Sequence, residues 1–278
     1  MTDRDQNANG NLSGCTVYLS GPMDFLAQSR EEERKHGWRT RVAEFLKRYG
    51  VNVLDPWHKP EIRALHGYGQ EDAQSTANRN RWTFGDGEEA RITRAEICSS
   101  YWPTLHIDLR MVDKSDFLIA FCPTNTYSVG TVHEIAMARQ QHKPVLFVSP
   151  PIPLRALAQL SAHLAERNDE QGLAFLQELK VEQPMKENIN GAPSLWYMGM
   201  LPGDYFFNGF GFCEFKEEFA WSDDPFDEIE SEKTSEGRFL LPFLRALDKE
   251  IPDLYDPKSR KFVPNDDWLL FAKSAQSS

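Results

Sequence analysis

The 278-residue sequence contains no CxxC pair and no His/Cys spacing of the kind that holds zinc. Its four cysteines, Cys15, Cys98, Cys122 and Cys213, mostly stand in apolar runs, which fits buried free thiols in a reducing compartment and not a disulfide frame. Long apolar runs are missing too. Nothing approaches the roughly 18 residues that a membrane span needs. The opening MTDRDQNANGNLSG has no apolar segment of the signal-peptide kind. A soluble, cytoplasmic protein is expected. Positive charge is the third shortage, with 31 Lys and Arg against 42 Asp and Glu and a net charge of −11. A long nucleic acid is bound by clustered cations that displace its counterions, so that partner is excluded. A single nucleotide, which needs only one local pocket, is not. Neither a P-loop nor a GxGxxG run occurs, and the expectation is of no cofactor and no metal.

What the chain does have is alternation. CTVYLSG reads as a buried strand ending in the Gly21-Pro22 turn, and the next segment has helical spacing through Trp38, Val42, Phe45 and Leu46, stopped by Gly50. VNVLDP is a second strand. Residues 57–87 are polar and irregular, as in a long loop or lid, and the segment after them reads as one or two helices with a break at Pro103. FLIAFCP is a buried strand, YSVGTVHEIAMARQQH a turn and helix, and KPVLFVSP a further strand. This order predicts a doubly wound, flavodoxin- or Rossmann-like parallel α/β sheet with right-handed crossovers and a C-terminal α/β extension. Ligands of such sheets collect beyond the carboxyl ends of the strands, at the topological switch point. Ser20 to Phe25 and Thr124 to Glu134 both leave strands at that edge.

Three regions are expected: a disordered polar tail over 1–13, the α/β domain over 14–153, and an extension over 154–278 that packs on the core or forms a partner or substrate surface. Within the extension, residues 154–180 read as helical, APSLWYMG as a strand, Ser222 to Glu236 as an acidic solvated loop, and GRFLLPFLRALDKEI and DDWLLFAKSA as short helices.

Glu134 admits two readings. Thr131 to Glu134 fits the S/T-x-x-E capping box, in which the glutamate bonds back to the helix start. The same glutamate stands at a helix N-terminus on the ligand edge, where the dipole favours an ionised carboxylate presented to a substrate. His133 beside it points elsewhere, since successive helix residues face different directions. Tyr18 reads as core. FNGFGF at 207–212 and Trp57, Trp82 and Trp102 read as packed aromatics, or alternatively as platforms for a stacked base.

Taken in order, YLSGPMDF, GVNVLDP, DLRMVDKSDFLIAF, SVGTVHEIAMA and KPVLFV resemble the nucleoside 2-deoxyribosyltransferase superfamily, which includes base-exchanging transferases and nucleoside 5′-monophosphate N-glycosidases. The resemblance runs from about Val17 to Val148 and does not reach the C-terminal part. It implies chemistry at the N-glycosidic bond of a small nucleoside or nucleotide. Glu134 matches the nucleophile at C1′ and Asp108 the group near the base. Ser20, Gly21, Pro22, Met23 and Asp24 match the loop lining the pocket, and Ser128, Gly130 and Thr131 fall on the second loop. A homo-oligomer whose subunits complete each other's sites is implied as well. The physical logic agrees, because an oxocarbenium-like state is stabilised or captured by a close carboxylate while the departing base needs a proton. Two carboxylates in proximity divide those roles by pushing their pKa values apart.

Two positions discriminate within that family. Ser128 stands where base-exchanging transferases usually carry aspartate, whereas the monophosphate glycosidases carry serine. A hydroxyl and helix-start amides cradle a phosphate that an aspartate would repel. Asp24, in contrast, stands where those glycosidases often supply arginine, so positive charge has to come from Arg79, Arg81, Arg110 or a neighbouring subunit. Hydrolysis of a nucleoside monophosphate to base and sugar phosphate is therefore favoured, with base exchange as the alternative. GTVHE also resembles the Gly-Thr-x-x-Glu signature of cytokinin-activating phosphoribohydrolases, although YSVGT lacks their glycine run. A non-catalytic nucleotide sensor is the reading from another class.

Overall fold

The computed structural model describes residues 10–22, 35–58, 71–126, 128–182, 188, 191–221 and 237–268. Strands β1 (Thr16–Ser20), β2 (Asn52–Leu54), β3 (Phe117–Phe121), β4 (Val145–Val148) and β5 (Phe206–Phe207) form one sheet in the order β2-β1-β3-β4-β5. The pairs β1–β2, β1–β3 and β4–β5 are parallel. β3 and β4 are buried along their whole length, as expected of strands covered on both faces. The doubly wound α/β sheet expected from the alternation is present.

Helix α1 (Trp38–Lys47) crosses from β1 to β2. Helix α2 (Glu71–Arg81) and the long helix α3 (Glu88–Lys114) lie between β2 and β3, and α4 (Val129–Gln140) between β3 and β4. The chain turns one way from β1 to β2 and the other way from β2 to β3 and β4. Right-handed crossovers then place α1 on one face and α3 with α4 on the other. The reversal sits between β1 and β3, which is where such sheets hold ligands.

Two compact units divide the chain. The first takes residues 1–121, 128–146 and 243–278. Helix α1 buries Trp38, Val42, Phe45 and Leu46, the residues of the predicted stripe, and Gly50 ends that segment with φ +70°. The tail is ordered from Gly10 onward, contrary to the expectation of disorder through residue 13. Leu12 is fully buried, its N–H donates to the Asp248 carboxylate (3.0 Å), and the Asn11 N–H donates to the Asp248 carbonyl (2.9 Å). One apolar residue with two backbone bonds outweighs the polar composition around it. Trp268 packs on Phe117 with ring centroids 4.9 Å apart. C-terminal residues from Phe243 onward therefore belong with the first unit.

The second unit takes residues 122–127 and 147–242. It holds the end of β4, β5, the helices α5 (Arg155–Glu166), α6 (Glu170–Glu182) and α7 (Leu195–Met200), and the short α8 (Lys216–Phe219). Phe207, Phe210 and Phe212 of FNGFGF are buried, and Phe210 stacks on Phe212 at 4.9 Å. These rings are core packing and not an open platform. The turn depends on Gly211 (φ +79°), where a Cβ would lie 2.8 Å from that of Phe239.

Other expectations are corrected. APSLWYMG is helix α7 and not a strand: the Ser194 hydroxyl accepts the Trp196 N–H (3.4 Å), and Leu195 and Trp196 stand 81% and 82% exposed. The polar lid contains helix α2, although residues 59–70 lie outside the described set. Pro103 does not break α3, because the carbonyl it deprives of a partner belongs to Ser99, which is exposed and meets water. Helix α9 (Leu240–Lys249) follows prediction, while the hairpin β6 (Leu254–Asp256) to β7 (Lys261–Val263) was not foreseen. The acidic loop 222–236 and most of DDWLLFAKSA lie outside the described residues. Among the described residues no helix is long and apolar enough to cross a membrane.

Candidate active site

Alternation along β1 builds the site. Tyr18 and Ser20 are two residues apart and therefore project from one face of the sheet, the face on which α4 lies. Both reach Glu134. The Tyr18 hydroxyl donates to Oε1 at 2.8 Å, and the Ser20 hydroxyl forms a short bond to Oε2. Glu134 is buried, 8% exposed, so each donor matters: a hydrogen bond to a charged group contributes about 2 kcal/mol when desolvation is counted.

Helix α4 starts three residues earlier than the capping-box reading requires. Ser128 is its N-cap, without a capping bond, and the Ser128 hydroxyl instead shares a hydrogen bond with that of Thr131 (2.6 Å). Glu134 consequently sits in the second turn, with its carboxylate directed at β1. The capping reading is overturned, because Ser128 and Thr131 occupy the N-cap and third positions that Thr131 and Glu134 were expected to fill. Gly130 is exposed, with nothing within 4 Å of where a Cβ would stand.

Asp108 lies on α3, half-buried. The Tyr18 phenol is held well above its ordinary pKa, first by complete burial, then by the charges of Glu134 and Asp108 and the hydrogen bond to Glu134, with Arg39 opposing. Glu134 thus accepts from this tyrosine and Asp108 acts on it through its charge, and the phenol stays protonated and donates. Tyr18, read from sequence as core, is core and also part of the site. Its parity with Ser20 was the available signal.

The turn after β1 is held from below. Arg39 of α1, 1% exposed, donates from Nη2 to the Gly21 carbonyl (2.7 Å), from Nε to that of Leu19 (3.3 Å) and from Nη1 to that of Pro22 (3.5 Å). Asp55, at the end of β2, stands 3.9 Å from Arg39 and accepts from the Trp57 N–H (2.8 Å). The same carboxylate meets His58 Nδ1 at 2.8 Å. Gly21 is required here because a Cβ would come 2.8 Å from the Trp38 ring and 3.3 Å from the Phe121 carbonyl. Neither Arg39 nor Asp55 was singled out in the sequence, where an arginine on a charged helix looks solvated. Met23 and Asp24 lie outside the described residues.

No protein-family model matches the chain, and no curated protein does. Among solved structures it is similar to a 2-deoxyribosyltransferase from the psychrotolerant bacterium Bacillus psychrosaccharolyticus, at 17% identity and a TM-score of 0.28, over 48% of this chain and 71% of that one. A second is a conserved protein from Enterococcus faecalis V583, at 16% identity and a TM-score of 0.32, over 67% of this chain and 86% of that one. Both likenesses are distant, and what the site can do is read from its own side chains.

The cations expected to serve a phosphate are engaged locally. Arg81 pairs with Glu96 (2.9 Å) and Arg110 with Asp113 (3.8 Å). Arg79 is exposed, as is His133. Trp57 is buried, whereas Trp82 and Trp102 are 38% and 58% exposed. Among the described residues no three His, Cys, Asp or Glu side chains are placed to share a metal ion.

Proposed function

We propose that the protein cleaves the N-glycosidic bond of a nucleoside or nucleoside 5′-monophosphate, with Glu134 as nucleophile and Asp108 as the proton source for the departing base. The observation that carries this reading is the two-point hold on Glu134 by Tyr18 and Ser20 at the β1/β3 reversal. Two hydroxyl donors hold both oxygens of the carboxylate. A carboxylate held in this way is the group that captures an anomeric carbon in such chemistry. The hold comes from the strand edge where ligands of such sheets collect. Asp108, half-buried on α3 and felt electrostatically by Tyr18, is the second carboxylate that the reaction calls on for the departing base.

Ser128 favours a monophosphate. Its hydroxyl is bonded sideways to Thr131 and makes no capping bond, so the first-turn amides of α4 are not capped by its side chain. A phosphate suits such a helix start. Hydrolysis to free base and sugar phosphate is the favoured outcome, and base exchange uses the same glycosyl-enzyme with a different acceptor. The substrate is a small molecule, and the chemistry calls on no cofactor.

The test is to incubate the chain with nucleosides and nucleoside monophosphates and follow free base by chromatography. Release without an added acceptor base marks a hydrolase. Glu134→Gln, which preserves shape and removes the charge, should cut turnover at least ~1,000-fold. Full activity in that variant would exclude the nucleophile assignment. Tight nucleotide binding with no base released would favour a sensor instead.

A further inference from the structure

The hairpin of β6 and β7 stands outside the five-stranded sheet. Among the described residues its strands pair only with each other, in the register Leu254–Val263, Tyr255–Phe262 and Asp256–Lys261. Alternation puts Tyr255 and Phe262 on one face, where their rings meet at 5.5 Å, 46% and 68% exposed. Two strands alone are marginal in water, and stability calls for a third strand or a packed helix. The turn, by contrast, is firmly built. The Asp256 carboxylate accepts the N–H groups of Lys258 and Ser259 (3.0 and 3.1 Å). The Asp256 carbonyl accepts that of Arg260 (2.8 Å), which holds the left-handed conformation at φ 57°. The two edges differ. β6 is bracketed by Pro252 and Pro257 and two of its three residues are half-buried, whereas Lys261, Phe262 and Val263 of β7 are all exposed.

We propose that the outer edge of β7 is a docking site for an extended acidic segment of another protein, added as a third, antiparallel strand. Main-chain hydrogen bonds supply affinity in strand addition, and the side chains beside the new strand supply choice. Phe262 offers an aromatic surface to apolar side chains at alternate positions of the incoming strand. Charge selects the rest. Lys258, Arg260 and Lys261 place three exposed cations within four positions, a local reversal of sign in a chain of net charge −11. The exposed carboxylates Asp253 and Asp266 stand instead at the open end of the hairpin. The partner's acids therefore lie toward the turn and its apolar residues toward the open end. Since β7 runs away from the turn, an antiparallel strand carries its acids at its C-terminal end. Docking at this edge is independent of the chemistry at Glu134.

The probe is a fluorescein-labelled peptide, Thr-Val-Thr-Val-Glu-Asp-Glu, titrated with the full chain at physiological ionic strength and read by anisotropy. Saturable binding is expected. The counterpart with Gln-Asn-Gln in place of the acids, and the peptide of reversed order, should bind at least ~10-fold more weakly. Amide hydrogen exchange over residues 258–263 should slow when the acidic peptide binds. The triple variant Lys258→Gln, Arg260→Asn, Lys261→Gln removes the charges, asparagine tolerating the left-handed backbone at 260, and Phe262→Thr keeps a strand former. Each should weaken binding at least ~10-fold with the melting temperature unchanged. Failure of the acidic peptide to bind would overturn the proposal. So would equal binding of either control peptide, native-like binding by either variant, or slowed exchange confined to other segments. A native dimer in light scattering that Phe262→Thr dissolves would assign the edge to a second copy and overturn it as well.

Discussion

At the scale of single residues, Glu134 owes its usefulness to two hydroxyls on alternate positions of β1. Tyr18→Phe removes the donor to Oε1 of Glu134, and kcat for base release should fall by about tenfold or more with KM little changed, read by steady-state kinetics. The adjoining residue Cys15 offers a different test. Burial first, then the charges of Asp116 and Asp248, push its thiol from 9.0 to about 11. The native protein holds this proton more tightly than the unfolded chain does. The associated stability is therefore fully present below 9.0 and is lost as pH rises through about 11. Urea midpoints should fall over that interval, less steeply in Cys15→Ala, and a thiol reagent at neutral pH should label exposed Cys98 while sparing Cys15. The sequence revealed Glu134 because a carboxylate at a helix start after a buried strand is unusual. Tyr18 went unnoticed because an aromatic in a strand looks like packing until the parity of its neighbours is counted.

At the scale of elements, the β1 turn depends on α1. Gly21→Ala forces a methyl against the Trp38 ring and the Phe121 carbonyl, and should cost about 1–3 kcal/mol in urea unfolding. Arg39→Met strands the carbonyls of Leu19, Gly21 and Pro22 beside Asp55 and should cost more, about 3–5 kcal/mol. Both should impair turnover as well, since Ser20 precedes that turn. Strands β1, β3 and β4 and helices α1 and α4 were legible because burial writes itself as continuous apolar runs and 3.6-residue stripes. Three elements were not. Helix α2 has no apolar stripe to announce it, α7 is short and capped by a serine that reads equally as a turn, and the β6–β7 hairpin is exposed on most positions. Where an element is specified by local hydrogen bonds and not by burial, periodicity has nothing to report.

At the scale of the whole molecule, order along the chain and order in space part company. The alternation foretold the doubly wound sheet, but residues 243–268 returning to the first unit could not be foreseen, since helix α9 is amphipathic and would suit either unit. Its apolar face is nonetheless indispensable. Leu244 and Leu247 are buried on it, Asp248 anchors Leu12, and beyond the helix Trp268 is buried against Phe117. A chain ending at Pro242 should lose its near-ultraviolet circular dichroism even though every proposed catalytic residue is still present. During synthesis on a ribosome the consequence is one of timing. The strand bearing Tyr18 and Ser20 emerges early and must wait for nearly the entire polypeptide before Asp248, which anchors the residues leading into it, arrives. Until then the nascent first unit is a client for chaperones, and stalled translation anywhere before Phe243 should deliver a product marked for degradation instead of a weakened enzyme.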